Sequence, residues 1–271
     1  MPELPEVETV ARRLAAHAAG RRIRAVDLPD PKLRTPGWRQ LPGHRIHDVT
    51  RLGKQVVVHL SRPRCRRVDR WLVVHLRMTG NFFWAPALDP DTAYLRGWLT
   101  LDRGVIHYAD LRRFGRWHLT ADLAPFAPAA LDPTRPEFTV AALADALAGS
   151  RQPLKPWLLR QDRLVGLGNI YASEICHRAR LHPARPAGGL APSEIRRLHR
   201  ATRVVLERAI AACGTTFYAI EAGRRLSGTF AEELAVYGRA DEPCRRCGAT
   251  VKRLVQAQRS TYFCPECQEE G

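Results

Sequence analysis

Four cysteines near the C-terminal end stand in two pairs, Cys244-Arg-Arg-Cys247 and Cys264-Pro-Glu-Cys267, with sixteen residues between the pairs. Residues 241–271 form a segment too short to bury a core of its own. Two matched C-x-x-C pairs at this spacing read as a zinc ribbon or finger. Four thiolates complete a tetrahedral shell and leave no open position, so the metal is expected to be one structural Zn2+ whose binding supplies the folding free energy. A redox role would need only one pair. The remaining cysteines, Cys65, Cys176 and Cys213, are scattered and read as small buried apolar residues. The start, MPELPEVETV, lacks a basic flank followed by an apolar run, so it does not read as an export signal, and no disulfide framework is expected.

The 271 residues suffice for two modest domains and carry a net charge of +16. That excess suits a polyanion, whether DNA, RNA or an anionic membrane surface. No apolar run reaches the length of a membrane helix. The basic residues are almost all arginine; only Lys32, Lys54, Lys155 and Lys252 are lysines. Each surviving lysine is therefore a candidate for a specific role, although for Lys32 and Lys252 the plain reading as leftover surface residues is preferred.

The chain changes character along its length. Residues 5–19 read as a helix, with Val7, Val10 and Leu14 on one face, Glu6 and Glu8 in the first turn and Gly20 as a stop. From about residue 22 to 120 the pattern is of short strands, among them Gln55–Leu60, Trp71–Arg77, Trp98–Leu101, Val105–Tyr108 and Gly115–Thr120, which suggests a sandwich or barrel. A Pro-rich stretch from Pro125 to Pro136 reads as a linker. Helical patterns follow at Phe138–Ala148, from Leu154, and at Ser193–Ala212. The expected organisation is an α+β chain with four parts: residues 1–124 as an N-terminal helix and β-sandwich, 125–136 as linker, 137–240 as a helical domain containing a loop at 215–240, and 241–271 as the zinc module. A β-hairpin between the knuckles would carry Lys252, Arg253 and Arg259 toward phosphates at its tip; for Lys252 and Arg253 a solvated basic face reads equally well.

Pro2 follows the initiator methionine, which is normally trimmed before a small residue. Trimming would expose a secondary amine in the class whose pKa lies at roughly 7.7–8.0, so that a useful fraction is neutral and nucleophilic. Attack on the anomeric carbon of a sugar would give an iminium ion, a permanent electron sink, with Glu3 placed as general acid/base. The plainer reading is that Pro2 reflects processing and that the acids serve the helix dipole.

Further motifs stand in order along the chain. Met1-Pro2-Glu3-Leu4-Pro5-Glu6-Val7-Glu8-Thr9 is followed by Arg51-Leu52-Gly53-Lys54, His75-Leu76-Arg77-Met78-Thr79-Gly80 and Asp110-Leu111-Arg112-Arg113-Phe114-Gly115. Gly166-Leu167-Gly168-Asn169-Ile170-Tyr171-Ala172-Ser173-Glu174, Val236-Tyr237-Gly238-Arg239 and Gln258-Arg259-Ser260-Thr261 complete the set. Together they resemble the formamidopyrimidine-DNA glycosylases, which form one superfamily with the endonuclease VIII group.

The resemblance implies a fold: an N-terminal helix plus β-sandwich, then a helix–two-turn–helix domain with a four-cysteine zinc finger. It implies a bacterial, cytoplasmic and nucleoid-associated monomer acting on double-stranded DNA that contains oxidised bases or abasic sites. Oxidised purines, chiefly 8-oxoguanine and formamidopyrimidines, would be excised through a Schiff base at Pro2, followed by β,δ-elimination. By resemblance the catalytic set is Pro2, Glu3, Lys54 and Arg259. The DNA contacts are His75, Met78, Arg112, Arg113, Phe114, Lys155, Asn169 and Arg259, and the metal ligands are Cys244, Cys247, Cys264 and Cys267. Glu6 would support the site. Met78, Arg112 and Phe114 would enter the duplex where the lesion is flipped out, offsetting the few kcal/mol that unpairing costs; core packing is the plain alternative for Met78 and Phe114. His75 reads equally as a structural histidine in a strand. Two departures from the family pattern, at Ala124–Asp132 and at Arg160, bear on local packing, and the loop at about Thr215–Thr229 has its own sequence. Two rival functions are an endonuclease VIII-type glycosylase for oxidised pyrimidines and a non-catalytic zinc DNA-binding protein. Leu4-Pro5 favours the purine group over the first.

Overall fold

The computed structural model describes residues 1–271 apart from 128, 216–218, 222, 223, 227 and 271, and only the backbone of 219–221 and 224–226. The chain forms two compact units, Met1–Ala127 with Cys213–Gly228, and Pro128–Ala212 with Thr229–Gly271.

The first unit begins with α1 (Leu4–Ala18). Pro5 lies in its first turn, where a missing N–H costs nothing, and Gly20 follows its end at φ +83, a left-handed position that glycine adopts without strain. Leu4, Val7, Val10 and Leu14 are at most 2 % exposed, each worth about 1.5–3 kcal/mol of burial. Eight strands follow: β1 (Ile23–Asp27), β2 (Arg45–Leu52), β3 (Gln55–Ser61), β4 (Arg70–His75), β5 (Asn81–Ala85), β6 (Leu95–Leu101), β7 (Val105–Ala109) and β8 (Arg116–Thr120). They make two four-stranded antiparallel sheets, in the orders β2-β3-β4-β8 and β1-β6-β7-β5. One apolar core, including Val58, Leu72, Leu99, Ile106 and Trp117, joins the sheets to α1. Strands β1, β2 and β5 had weak signals in sequence. In β2, RIHDVTRL, five of the eight residues are polar and one of them, Arg51, is buried, so alternation alone does not mark it.

The second unit holds α2 (Val140–Leu147), α3 (Leu154–Leu158), α4 (Asn169–Ala179) and α5 (Pro192–Ala211). The Thr139 hydroxyl caps α2 by accepting from the Ala142 N–H at 3.1 Å. Leu198, Ala201, Thr202, Val205, Leu206 and Ala209 make the buried stripe of α5, which packs on α4 and α2. The backbone of Ala219–Glu221 (β9) pairs with Arg224–Leu226 (β10) in the segment that belongs to the first unit. Residues 216–218, 222, 223 and 227 of the 215–229 loop lie outside the described residues. In the second unit, β11 (Lys252–Gln256) and β12 (Arg259–Phe263) form the hairpin between the cysteine pairs. No described helix is long and apolar enough to cross a membrane.

Candidate functional site

In the first unit the residues singled out above collect at one end of the sandwich. Glu3 flanks the head of α1 and is 3 % exposed; its N–H donates to Glu6 Oε2 at 2.9 Å. Glu6 is equally buried, and its Oε1 accepts from the Thr215 N–H at 2.9 Å. A Cβ on Gly214, at φ +79, would collide with that same oxygen, so only glycine brings this backbone against the carboxylate. Two buried acids thus stand immediately behind Pro2, and Glu6 is fixed from two sides.

Lys54 sits in the β2–β3 turn, after Gly53 at φ +58. Buried Arg51 fixes this turn: its Nε meets Glu8 Oε2 at 2.9 Å, and its Nη1 donates to the Gly53 carbonyl at 3.0 Å. His75 ends β4 opposite Gln55, and its Nδ1 accepts from the Arg77 N–H at 3.0 Å. Burial, with Arg77 and Lys54 nearby, pushes its pKa down to about 4, so the ring is neutral near pH 7 and can act as a hydrogen-bonding group but not as a cation.

The β4–β5 and β7–β8 loops are joined by one polar network. The Thr79 hydroxyl donates to Asp110 and accepts from the Arg112 N–H at 2.9 Å, while the other Asp110 oxygen accepts from the Gly115 N–H at 2.8 Å. The Tyr108 hydroxyl lies between Gly80 and Gly115, and a Cβ on either would collide with it, more severely at Gly115. Both glycines are therefore demanded by close approach. Held this way, Met78 is 39 % exposed, Leu111 52 % and Phe114 47 %, which rules out core packing for Met78 and Phe114. The Arg112 guanidinium stacks 4.9 Å from the Phe114 ring centroid. A cavity of about 730 Å³ is lined by Met78, Phe114, Lys32, Arg77 and Arg116 among others. Lys32, which read as a plain surface residue in the sequence, lines this cavity, whereas Arg77 and Arg116 were missed because neither stands out from an arginine-rich chain.

The second unit carries its own cluster. Asn169 opens α4, after Gly166 at φ +89. Lys155 Nζ donates to Asn169 Oδ1 at 2.6 Å, to the Ser260 carbonyl at 2.8 Å and to Thr261 Oγ1 at 2.8 Å; Asn169 Nδ2 also donates to Ser260 O at 2.9 Å. One ammonium thus ties α3, the head of α4 and strand β12 beside Arg259. The Glu174 carboxyl, pushed up in pKa by burial, accepts from the N–H groups of Ala235, Val236 and Tyr237 and holds the segment leading to the cysteines. The four Sγ atoms lie within 4.8 Å of one another, with Cys247 3.4 Å from both Cys264 and Cys267. Zinc–sulfur bonds of about 2.3 Å in a tetrahedron place sulfurs about 3.8 Å apart, so the cluster fits one structural zinc. His177 Nε2, 3.4 Å from Cys244 Sγ, is an outer partner of the kind that orients a ligand.

Several expectations are revised. The hairpin tip is Ala257–Gln258, both at positive φ, with Arg259 exposed beside it. Lys252 and Arg253 pair with Phe263 and Tyr262 at the far end of the ladder, so neither reaches the tip. Arg113, expected on DNA, directs its fork at Asp30 with contacts of 2.7 and 2.9 Å and so braces the loop that carries Arg112, while it stays partly exposed along the cavity that Met78 and Phe114 line. Lys155, also expected on DNA, is 0 % exposed with all three N–H groups engaged, which makes it a strut. Of the three single cysteines only Cys176 is buried; Cys65 and Cys213 are partly exposed. The unusual Arg160 is absorbed locally by an ion pair with Asp162.

Family models of the formamidopyrimidine-DNA glycosylase N-terminal domain, of the H2TH domain of those enzymes, and of the zinc finger found in FPG and IleRS match residues 1–117, 129–219 and 241–269. The formamidopyrimidine-DNA glycosylase of Symbiobacterium thermophilum is 42 % identical, covering 99 % of this chain and 89 % of its own. That of Heliobacterium modesticaldum is also 42 % identical, covering 99 % and 100 %. The crystal structure of MutM (Fpg) from Thermus thermophilus aligns with TM-score 0.84 at 39 % identity over 100 % of both chains. Lactococcus lactis Fpg, bound to DNA containing an oxidised pyrimidine, aligns with TM-score 0.87 at 32 % identity, covering 99 % and 100 %. By sequence along its whole length and by fold, this chain belongs to the formamidopyrimidine-DNA glycosylase family.

Proposed function

We propose that this protein is a DNA glycosylase and abasic-site lyase for oxidised bases, with the imino nitrogen of Pro2 as nucleophile. The observation that carries the reading is the head of α1, where residue 2 stands directly before two buried carboxylates, one of them clamped by backbone N–H groups. Once Met1 is removed, the Pro2 nitrogen lies at the positive end of the α1 dipole, which disfavours its protonated form and keeps the lone pair available. That nitrogen bonds to C1′ of the damaged nucleotide as the base departs with a proton. Glu3 serves as the acid that opens the sugar, and the resulting iminium draws electrons from C2′, so the 3′ and then the 5′ phosphate leave by β,δ-elimination.

Met78, Arg112 and Phe114 fill the space vacated by the extruded nucleotide; two exposed apolar side chains beside a stacked guanidinium suit that task. Lys54, neutral His75, Asn169 and Arg259 hold phosphates, with Lys155 and Arg113 acting through the neighbours they brace. Oxidised purines are the principal substrates. Oxidised pyrimidines are a second class, a reading favoured by the Lactococcus lactis relative crystallised with such DNA. The protein works as a monomer on the chromosome in the bacterial cytoplasm.

Borohydride reduction in the presence of an abasic-site duplex tests this reading. The mature protein should form a covalent complex whose linkage maps to Pro2, and Glu3→Gln should lose excision of 8-oxoguanine while still binding the duplex. Absence of any trapped complex would refute the enzyme; linkage to a lysine would refute the assignment of Pro2.

A further inference from the structure

The first unit has a second basic surface at the opposite pole. The reactive end of the sandwich is marked by the Leu52–Gln55 turn between β2 and β3, and the ladder then runs to Arg45 opposite Ser61. At about 3.4 Å per residue the far end lies roughly 20 Å away. Helix α1 agrees, since Glu8 in its first half bonds Arg51 while the Gly20 N–H after its end meets the Ile46 carbonyl. At that far pole three separate segments converge: Arg22 before β1, Arg45 and His47 of β2, and the β3–β4 hairpin with Arg64, Cys65 and Arg66. These six residues line a cavity of about 480 Å³.

The charge here is one-sided. Residues 61–70, SRPRCRRVDR, contain five arginines and one acid, and that acid, Asp69, is paired with Arg62 at 2.5 Å. Two further acids lie near the pole: Asp48 follows His47 in β2 and its carboxylate accepts from the Val49 N–H at 2.8 Å, and the Asp102 N–H donates to the Arg22 carbonyl at 2.9 Å; neither lines the cavity. Arg45, Arg64 and Arg66 are exposed. Guanidinium forks match phosphate oxygens in pairs. No Phe, Tyr or Trp lines the cavity, so the stacking platforms that single strands need are missing, and no apolar wedge suits a bilayer. The His47 ring is occupied by Ser61 Oγ at 2.9 Å.

We propose that this pole is a second binding site for the phosphate backbone of duplex DNA, remote from the reactive end, so that one molecule holds two duplex segments at once. A protein with two backbone grips passes from one segment to another without fully dissociating. The inference goes beyond the proposed reaction and uses none of its residues.

The full chain is first saturated with an unlabelled duplex carrying a stable abasic-site analogue, and a fluorescent undamaged duplex is then titrated by anisotropy. Wild type should take up one labelled duplex per molecule. The triple variant Arg45→Gln/Arg64→Gln/Arg66→Gln should weaken that uptake at least tenfold and lower its salt slope by about 2–3, near 0.9 per lost phosphate contact. Borohydride trapping at the reactive end should be unchanged, which also reports that the variant is folded. Arg64→Glu, on the exposed hairpin alone, should reproduce part of the loss. No uptake of a second duplex by wild type, uptake equal in the variants, or equal binding of a single strand or of phosphatidylserine vesicles in place of the duplex would each overturn the proposal. A chain that never traps would refute the proposed reaction alone, because wild type and variants would still be compared on undamaged duplex.

Discussion

The Tyr108 hydroxyl shows how a single oxygen shapes two loops. With Gly80 on one side and Gly115 on the other, any side chain at either position displaces the turn that presents Met78 or Phe114. Gly115→Ala should destabilise the protein by about 1–3 kcal/mol, the usual cost of overpacking. The cost should shrink when Tyr108→Phe removes the oxygen in the same chain; urea midpoints of the two single variants and the double variant check this coupling. An undiminished cost in the double variant would mean that the backbone conformation, not the hydroxyl, requires glycine. His75 supports a pH prediction. Its folded pKa of about 4 lies below the unfolded value of roughly 6.5, so between those values the unfolded chain binds more protons. The stability contributed by the neutral ring is therefore complete above about 6.5 and lost as pH falls toward 4. His75→Gln should flatten that part of the stability–pH curve; an unchanged curve would show that the ring is not held neutral by the fold.

Among the elements, the zinc hairpin depends most on something other than its own sequence. Its apolar cluster consists of Val236, Val251 and the cysteines Cys244 and Cys264, too small to fold without metal. Chelation should abolish the protection of the β11–β12 amides in hydrogen exchange and release Lys155 from Ser260 and Thr261, while amides in β3 and β4 keep theirs. Loss of protection in both regions together would show that the hairpin and the sandwich unfold as one cooperative body. The two C-x-x-C pairs, α1 and α5 were legible because each rests on local rules: ligand spacing, capping and a 3.6-residue stripe. Strands β1, β2 and β5 were not, because β2 is mostly polar and buries Arg51, while β1 and β5 are five-residue segments whose apolar residues do not alternate. The hairpin and the place of Arg259 beside its tip were foreseen, but Lys252 and Arg253 lie at the far end of the ladder, because register is set by pairing and the turn at Ala257–Gln258 and not by the order of charges.

At the scale of the whole molecule, the net charge of +16 predicts duplex affinity that falls steeply with salt. The logarithmic slope should be several units, about 0.9 for each phosphate neutralised, and Arg259→Ala should reduce it by about one. A flat response in fluorescence anisotropy would contradict backbone binding by either unit. The same charge could not say where the arginines act, and here sequence and tertiary structure divide the work. Local patterns alone determined the zinc ligands, the family motifs, the two-part α+β plan and the proline–glutamate head of α1, because each is written in contiguous residues. Only tertiary packing decided that Cys213–Gly228 belongs with the sandwich, that Arg113 and Lys155 brace their neighbours, and that Met78 and Phe114 stand in solvent. Those outcomes depend on which distant groups meet, as Thr215 meets Glu6 and Asp30 meets Arg113, and a one-dimensional pattern does not encode such meetings.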